Sequence, residues 1–194
     1  MEGFSFSDFA LFMSALKFGA HKHRWQKRKD AEQTPYFNHP IDVAETLWSI
    51  GGVRDMTVLT AALLHDVIED TDTKPEEIDS HFGEAVLSLI REMSDDKSLP
   101  KLIRKELQVQ HAPHLSAGAK LIKIADKICN IRDVTYSPPK DWPLNRRTEY
   151  LNWAESVVLG LKGCNEKLEE EFDKLLQEGR EKLRDSRSGF SGSQ

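Results

Sequence analysis

Apolar side chains recur along the chain at every third or fourth residue, which is the period of an amphipathic helix. The first such run begins near Phe9, with Ser7 placed as its N-cap. A second begins near Pro40 and stops at Gly51-Gly52, because proline suits the first turn of a helix and glycine suits its end. No segment alternates apolar and polar residues with the period of two that a strand requires. We therefore expect an all-α protein.

The later segments keep this helical period and carry their own cap patterns. Thr73, with Glu76 three residues further on, matches a capping box, and Ser116 precedes a strongly apolar helix. Only the end of the chain, which is rich in serine and glycine, changes composition. The sequence therefore predicts one helical bundle of about eight to nine helices over residues 1–184, followed by a disordered C-terminal tail over residues 185–194.

Composition excludes several classes of protein. The 194 residues are 39% hydrophobic, which is one domain's length with enough apolar surface for a core. A formal net charge of −5 disfavours a nucleic-acid binder or a protein that docks on anionic membranes. The two cysteines, Cys129 and Cys164, are too few for a disulfide framework. With no signal peptide or spanning segment evident either, we expect a cytoplasmic protein without membrane or nucleic-acid partners.

The densest group of ionisable residues directly follows the apolar run at 61–64. His65, Asp66, Glu69 and Asp70 fall within six residues. On one continuous helix, residues four apart share a face, so His65 would lie over Glu69 and Asp66 over Asp70. We expect these side chains to line one wall at a helix end. The alternative is a helix that simply reaches solvent and ends in an acidic turn.

Two distant residues favour a metal site over that alternative. His39 occupies the expected N-cap of the second helix, where serine or aspartate is the usual structural choice. Asp126 interrupts an apolar stripe, and a buried carboxylate needs a cation or a hydrogen-bond partner. His39, His65, Asp66 and Asp126 make a His₂Asp₂ set without thiolate. Such a set suits Mn²⁺, Fe²⁺ or a similar divalent ion, and zinc less well.

The order of these motifs resembles a known enzyme family. The segments that carry the resemblance are residues 28–30 (RKD), 34–40 (TPYFNHP), 64–71 (LHDVIEDT) and 123–133 (KIADKICNIRD). They are similar to the hydrolase domain of RelA/SpoT-type alarmone enzymes, which belong to the HD-domain metal-dependent phosphohydrolases. The resemblance covers roughly residues 8–178. It is nearest to the stand-alone members, the metazoan SpoT homologues and the small alarmone hydrolases, because the chain has no room for synthetase or regulatory domains.

The resemblance implies an HD-domain fold and a role for each motif residue. One Mn²⁺ would be held by His39, His65, Asp66 and Asp126, while Glu69 and Asp70 would orient and activate the attacking water. The implied reaction removes the 3′-pyrophosphate from ppGpp or pppGpp and leaves GDP or GTP. The resemblance to the metazoan members also implies an alternative reaction, removal of the 2′-phosphate from NADPH. An HD phosphohydrolase for another nucleotide and a non-catalytic nucleotide sensor also stay open, although a complete catalytic set argues against the sensor.

Five further residues are expected to bind the nucleotide. The basic run at 21–29 reads by itself as a solvated helix end, but the resemblance singles out two of its members for base stacking and phosphate binding. A polar residue one turn beyond Asp126, and an arginine and a tyrosine four residues apart, would face the same ligand. The expected substrate-binding residues are Arg28, Lys29, Asn130, Arg146 and Tyr150. The oligomeric state stays open.

Overall fold

The computed structural model describes residues 5–188, and over these residues the regular structure is helical. The helices, in chain order, are α1 (Phe6–Lys22), α2 (Asn38–Ser49), α3 (Met56–Leu64), α4 (Val67–Asp70), α5 (Pro75–Phe82), α6 (Glu84–Met93), α7 (Lys101–His111), α8 (Ala117–Tyr136), α9 (Leu144–Leu159) and α10 (Glu166–Ser188). A 3₁₀ turn at Ala112–His114 follows α7, and α4 is a single helical turn. In the part of the chain that the structure describes, nine helices thus have eight residues or more. The prediction of an all-α bundle is confirmed.

The bundle is built around α8, which packs against α2, α3, α6, α9 and α10. Most side chains of α8 are buried, including Ile122, Ile124 and Ile128. Helix α3 is buried continuously from Val58 to Leu64, which explains why its sequence is apolar on every side. Each such aliphatic side chain contributes about 1.5–3 kcal/mol when it is fully buried. Helices α3 and α8 therefore cross the middle of the core.

The three predicted caps had different outcomes. Ser116 caps α8, since its hydroxyl accepts the N–H of the helix's third residue at 3.3 Å. The prediction for Ser7 was wrong: Ser5 caps α1 and forms a reciprocal capping box with Asp8. Thr73 was also wrong as a cap, because its hydroxyl pairs with a neighbouring threonine at 2.7 Å while the residue after it precedes α5. A helix is capped by whichever hydroxyl reaches a free backbone N–H, and the sequence contains several candidate hydroxyls.

The last helix runs further than the sequence suggested. Helix α10 continues to Ser188, so residues 185–188, which we expected in the tail, are helical. Residues 189–194, the remainder of the expected tail, lie outside the described residues. None of the helices described here is both long enough and apolar enough to cross a lipid bilayer.

Substitution of Gly19 should destabilise the fold near the start of α2. A Cβ at this position would lie 2.7 Å from the Cζ atom of Phe37, which is buried and directly precedes α2. We expect Gly19→Ala to lower the free energy of unfolding by about 1–3 kcal/mol, because the aromatic ring must shift in a packed interior. Urea denaturation measures this loss. Ser14→Ala, on the exposed side of α1, is the matched control and should change stability by less than about 0.5 kcal/mol; equal stability of both variants would contradict the prediction.

Candidate functional site

The His65-Asp66 pair lies at a break between two helices. Helix α3 ends one residue before His65, and α4 begins one residue after Asp66, whose φ and ψ are −102° and −3°. The prediction of one continuous helix here was wrong. Adjacent residues of a continuous helix point about 100° apart, whereas at this break both side chains line the same cavity. Glu69 and Asp70, on the single turn α4, line that cavity as well, and its volume is about 170 Å³.

Helices α2 and α8 and the break after α3 bring the four predicted metal ligands together. His39 comes from α2, where it is the second helical residue rather than the cap, and Asp126 comes from α8. Ligand atoms of His39, His65 and Asp126 all lie within 4.8 Å of one another, and the three residues are buried. The shortest of these distances joins His39 Nε2 to Asp126 Oδ1, at 3.1 Å. Asp66 adjoins the group, with its Oδ2 atom 3.0 Å from His65 Nε2.

The tautomer of His65 shows that this cluster calls for a cation. Its Nδ1 lies 2.7 Å from the carbonyl oxygen of Ala62, so Nδ1 carries a proton and donates it. In the neutral ring, Nε2 then presents a lone pair towards the carboxylates of Asp66 and Asp126, and it makes no hydrogen bond. Burial lowers the pKa of His65, but these two carboxylates outweigh burial and raise the pKa to about 9. Two imidazoles with two carboxylates therefore fit a divalent ion at the position that a proton would otherwise take.

Asp126 is ionised although it is buried. Burial alone would raise the pKa of its carboxyl group, but Lys127 and His39 hold that pKa well below the usual range. The Nζ atom of Lys127 lies 2.9 Å from Oδ2, and the side-chain amide of Asn130 donates to Oδ1 at 2.5 Å. The same pairing raises the pKa of the buried Lys127 despite the opposing effect of burial. The expectation that a carboxylate on this apolar stripe needs a partner is thus met by three neighbours.

Glu69 and Asp70 are held differently from the four ligands. Glu69 accepts the backbone N–H of Asp95 at 3.0 Å, and burial together with the nearby carboxylates raises its pKa. Asp70 is bonded to Lys97 on one oxygen and accepts the amide N–H of Gln26 on the other, at 2.9 Å. Both carboxylates thus have fixed orientations at the edge of the cavity.

A second, larger cavity of about 460 Å³ adjoins the first and shares several of its walls, among them Asp70. Four of the five predicted nucleotide-binding residues line it: Arg28, Lys29, Asn130 and Tyr150. Arg28 forms an ion pair with Asp133, which fixes its guanidinium. The fifth predicted residue, Arg146, lies apart from these four and lines a neighbouring cavity of about 390 Å³ that shares Tyr150. Its guanidinium lies 4.4 Å from the ring centre of Trp142.

Several residues of this site were not predicted from the sequence. Tyr36 donates its hydroxyl to Asp66, and Trp142 lines both of the larger cavities. Tyr36 lies three residues before His39, and Lys127 directly follows Asp126, so position in the motifs was a signal for both. Gln26 and Trp142 had no comparable signal, because their contacts join distant parts of the chain.

Comparison with family models defines the class of protein. Residues 15–151 match the model of the HD domain. The chain therefore belongs to the HD domain family.

Comparison with curated relatives shows which members of this family the chain is similar to. The chain is 52% identical over 172 residues to the guanosine-3′,5′-bis(diphosphate) 3′-pyrophosphohydrolase MESH1 of Mus musculus, which covers 89% of this chain and 96% of the mouse protein. The enzyme of the same name from Homo sapiens is also 52% identical, with the same coverage. A solved structure described as a metazoan orthologue of SpoT that hydrolyses ppGpp is 47% identical, with a TM-score of 0.85 over 87% of this chain and 94% of that one.

Removal of the Tyr36 hydroxyl should weaken metal binding. Tyr36 orients the carboxylate of Asp66, so we expect Tyr36→Phe to lower the affinity for Mn²⁺ by roughly 10-fold, as is usual when a group that orients a ligand is lost. Calorimetric titration of the metal-free protein measures this affinity. Tyr136→Phe is the matched control, because the exposed Tyr136 donates its hydroxyl to Glu178, far from the cluster. An unchanged affinity for Tyr36→Phe would contradict the prediction.

Proposed function

We propose that the chain is a guanosine-3′,5′-bis(diphosphate) 3′-pyrophosphohydrolase, which hydrolyses ppGpp to GDP and pppGpp to GTP, with release of pyrophosphate. The observation that carries this proposal is the 52% identity to the mouse enzyme of that name, which extends over 96% of that enzyme. The geometry suits this reaction, because an acidic cavity that fits a cation lies beside a larger cavity lined by Arg28 and Lys29.

The larger cavity suits a nucleotide that carries phosphates. Lys29 offers a flexible ammonium group for charge-assisted hydrogen bonds to phosphate, and the planar guanidinium of Arg28 can also stack on a purine. Tyr150 lies where the two larger cavities meet, and Arg146 supplies a further cation beyond it. We propose that these residues and Asn130 hold the nucleotide so that its 3′ phosphates point into the acidic cavity.

The residues of the acidic cavity divide between holding a metal and handling a proton. We propose that His39, His65, Asp66 and Asp126 hold one Mn²⁺. When bound, such an ion lowers the pKa of water and neutralises the oxygens of the phosphate that is attacked. The reaction adds one water across the bond between the ribose 3′ oxygen and phosphorus, so a proton must leave the water and another must reach the ribose oxygen. Glu69 suits the first of these steps, because its raised pKa makes it a better proton acceptor near neutral pH.

The first experiment compares substrates and metals directly. We expect the Mn²⁺-loaded protein to release pyrophosphate from ppGpp and pppGpp with a higher kcat/KM than for phosphate release from NADPH. EDTA should abolish turnover, and Mn²⁺ should restore it more fully than Mg²⁺. Asp66→Ala, which removes a proposed ligand, is the blank. A higher kcat/KM on NADPH would contradict the proposed substrate and leave the metal site standing, whereas turnover that resists EDTA would contradict the metal itself.

The second experiment separates proton handling from metal binding. We expect the double variant Glu69→Gln, Asp70→Asn to lose at least about 100-fold in kcat, the lower range for loss of acid–base catalysis. Its Mn²⁺ affinity, measured by calorimetry, should stay near that of the unchanged protein, since neither residue is among the four proposed ligands. Asp72→Asn, an exposed carboxylate two residues beyond Asp70, is the matched control and should keep full activity. A normal kcat in the double variant would show that the assignment is wrong.

A further inference from the structure

A chain of two hydrogen bonds joins a buried histidine at the end of α1 to the carboxylate of Asp70. His23 is the C-cap of α1 and is 2% exposed. Its Nδ1 atom lies 2.6 Å from Oε1 of Gln26, and Nε2 of Gln26 donates to Oδ2 of Asp70 at 2.9 Å. Neither His23 nor Gln26 has a role in the function proposed above.

The direction of both bonds follows from the carboxylate. An ionised carboxylate only accepts hydrogen bonds, so the amide nitrogen of Gln26 must face Asp70 and its oxygen must face His23. The imidazole of His23 must then donate from Nδ1. In the neutral ring this leaves Nε2 without a proton, and Nε2 is buried without a hydrogen-bond partner among the described residues. The carboxylate thus fixes the amide, and the amide fixes the tautomer.

The surroundings of His23 keep its ring rigid and uncharged. The ring centre lies 5.0 Å from that of Tyr36 and 6.1 Å from that of Phe37. The ring planes of His23 and Phe37 are only 21° apart. Burial lowers the pKa of His23, against the opposing effects of Gln26 and of the carboxylates of Asp66 and Asp70. A neutral imidazole held between aromatic rings is a firm anchor for the side chain of Gln26.

Asp70 needs such an anchor because its other support is exposed. Lys97, which bonds the opposite oxygen, has a side chain that is 48% exposed and comes from the loop between α6 and α7. A long, exposed ammonium side chain leaves the carboxylate free to rotate unless a second group holds it. The bond from Gln26 supplies that second support from the protein interior.

We propose that His23 and Gln26 are positioning residues, which act through their hydrogen bonds to hold the Asp70 carboxylate towards the attacking water. The inference rests on the proposed function, since it assigns these residues to the reaction in which Asp70 takes part. Neither residue is one of the proposed metal ligands, and the role proposed here for Gln26, which also lines the larger cavity, is its bond to Asp70.

Steady-state kinetics on ppGpp test this role with four variants. His23→Phe keeps an aromatic ring and removes the donor, so kcat should fall by roughly 10- to 100-fold while KM changes by less than about 2-fold. His23→Asn restores a donor near the position of Nδ1 and should recover most of the lost kcat. Gln26→Met should lose as much as His23→Phe, and the double variant His23→Phe, Gln26→Met no more than Gln26→Met alone, because all of them break one chain.

His21→Phe is the matched control, since His21 is exposed and lies two residues from His23. It should keep the kcat of the unchanged protein. Losses that multiply in the double variant, or a loss in His23→Phe that His23→Asn does not recover, would overturn the positioning role. A normal kcat for both His23→Phe and Gln26→Met would overturn it as well.

Nitrogen NMR of the histidine rings gives a readout that needs no activity. We expect the ring of His23 to be neutral and protonated on Nδ1 in the unchanged protein, measured with diamagnetic Mg²⁺ in place of Mn²⁺. A proton on Nε2 instead would contradict the chain of hydrogen bonds from His23 to Asp70, even if the variants lose activity. If the unchanged protein hydrolyses NADPH but not ppGpp, the proposed substrate fails, and the same variants then test the chain on NADPH.

Discussion

A buried carboxylate on the central helix is the constraint on which the rest of the site depends. Asp126 lies in the middle of α8, the helix around which the bundle packs, so its charge has lost most of its contact with water. Such a charge is stable only with close cationic or hydrogen-bonding partners, and these come from α2, from the break after α3 and from α8 itself. Because Asp126 needs these partners, the packing of three parts of the chain is linked to the geometry of the site.

The break at His65-Asp66 places two further predicted metal ligands beside Asp126. When the ring of His65 is neutral, its Nε2 lone pair and the carboxylate of Asp66 both face Asp126, an arrangement that is repulsive until a proton or a divalent ion lies between them. A divalent ion relieves this repulsion better than a proton, because it can accept all of these donors at once. The stability of the core and the binding of the ion therefore depend on the same groups.

The positions of the two neighbouring cavities also bear on how the proposed substrate would bind. In the proposed function, the acidic cavity gathers a cation and accepts a proton, and the basic residues Arg28 and Lys29 lie in the larger cavity beside it. With the cation bound, phosphates placed where the cavities meet would face positive charge from the ion and from these two side chains. Asp70 lines both cavities, and Lys97 and Gln26 bond its two carboxylate oxygens.

The sequence by itself determined the all-α class, the approximate helix count and the identity of the residues that gather at the cluster. Helical period and the position of Asn130 one turn beyond Asp126 are local properties, set by spacing along one helix, so they can be read from the order of residues. Only the tertiary structure decided the break after α3, the choice of Ser5 as a cap, the separation of Arg146 from Arg28, and the chain from His23 to Asp70. Each of these depends on groups that are far apart in sequence or on competition between neighbours, and packing alone determines which of them meet.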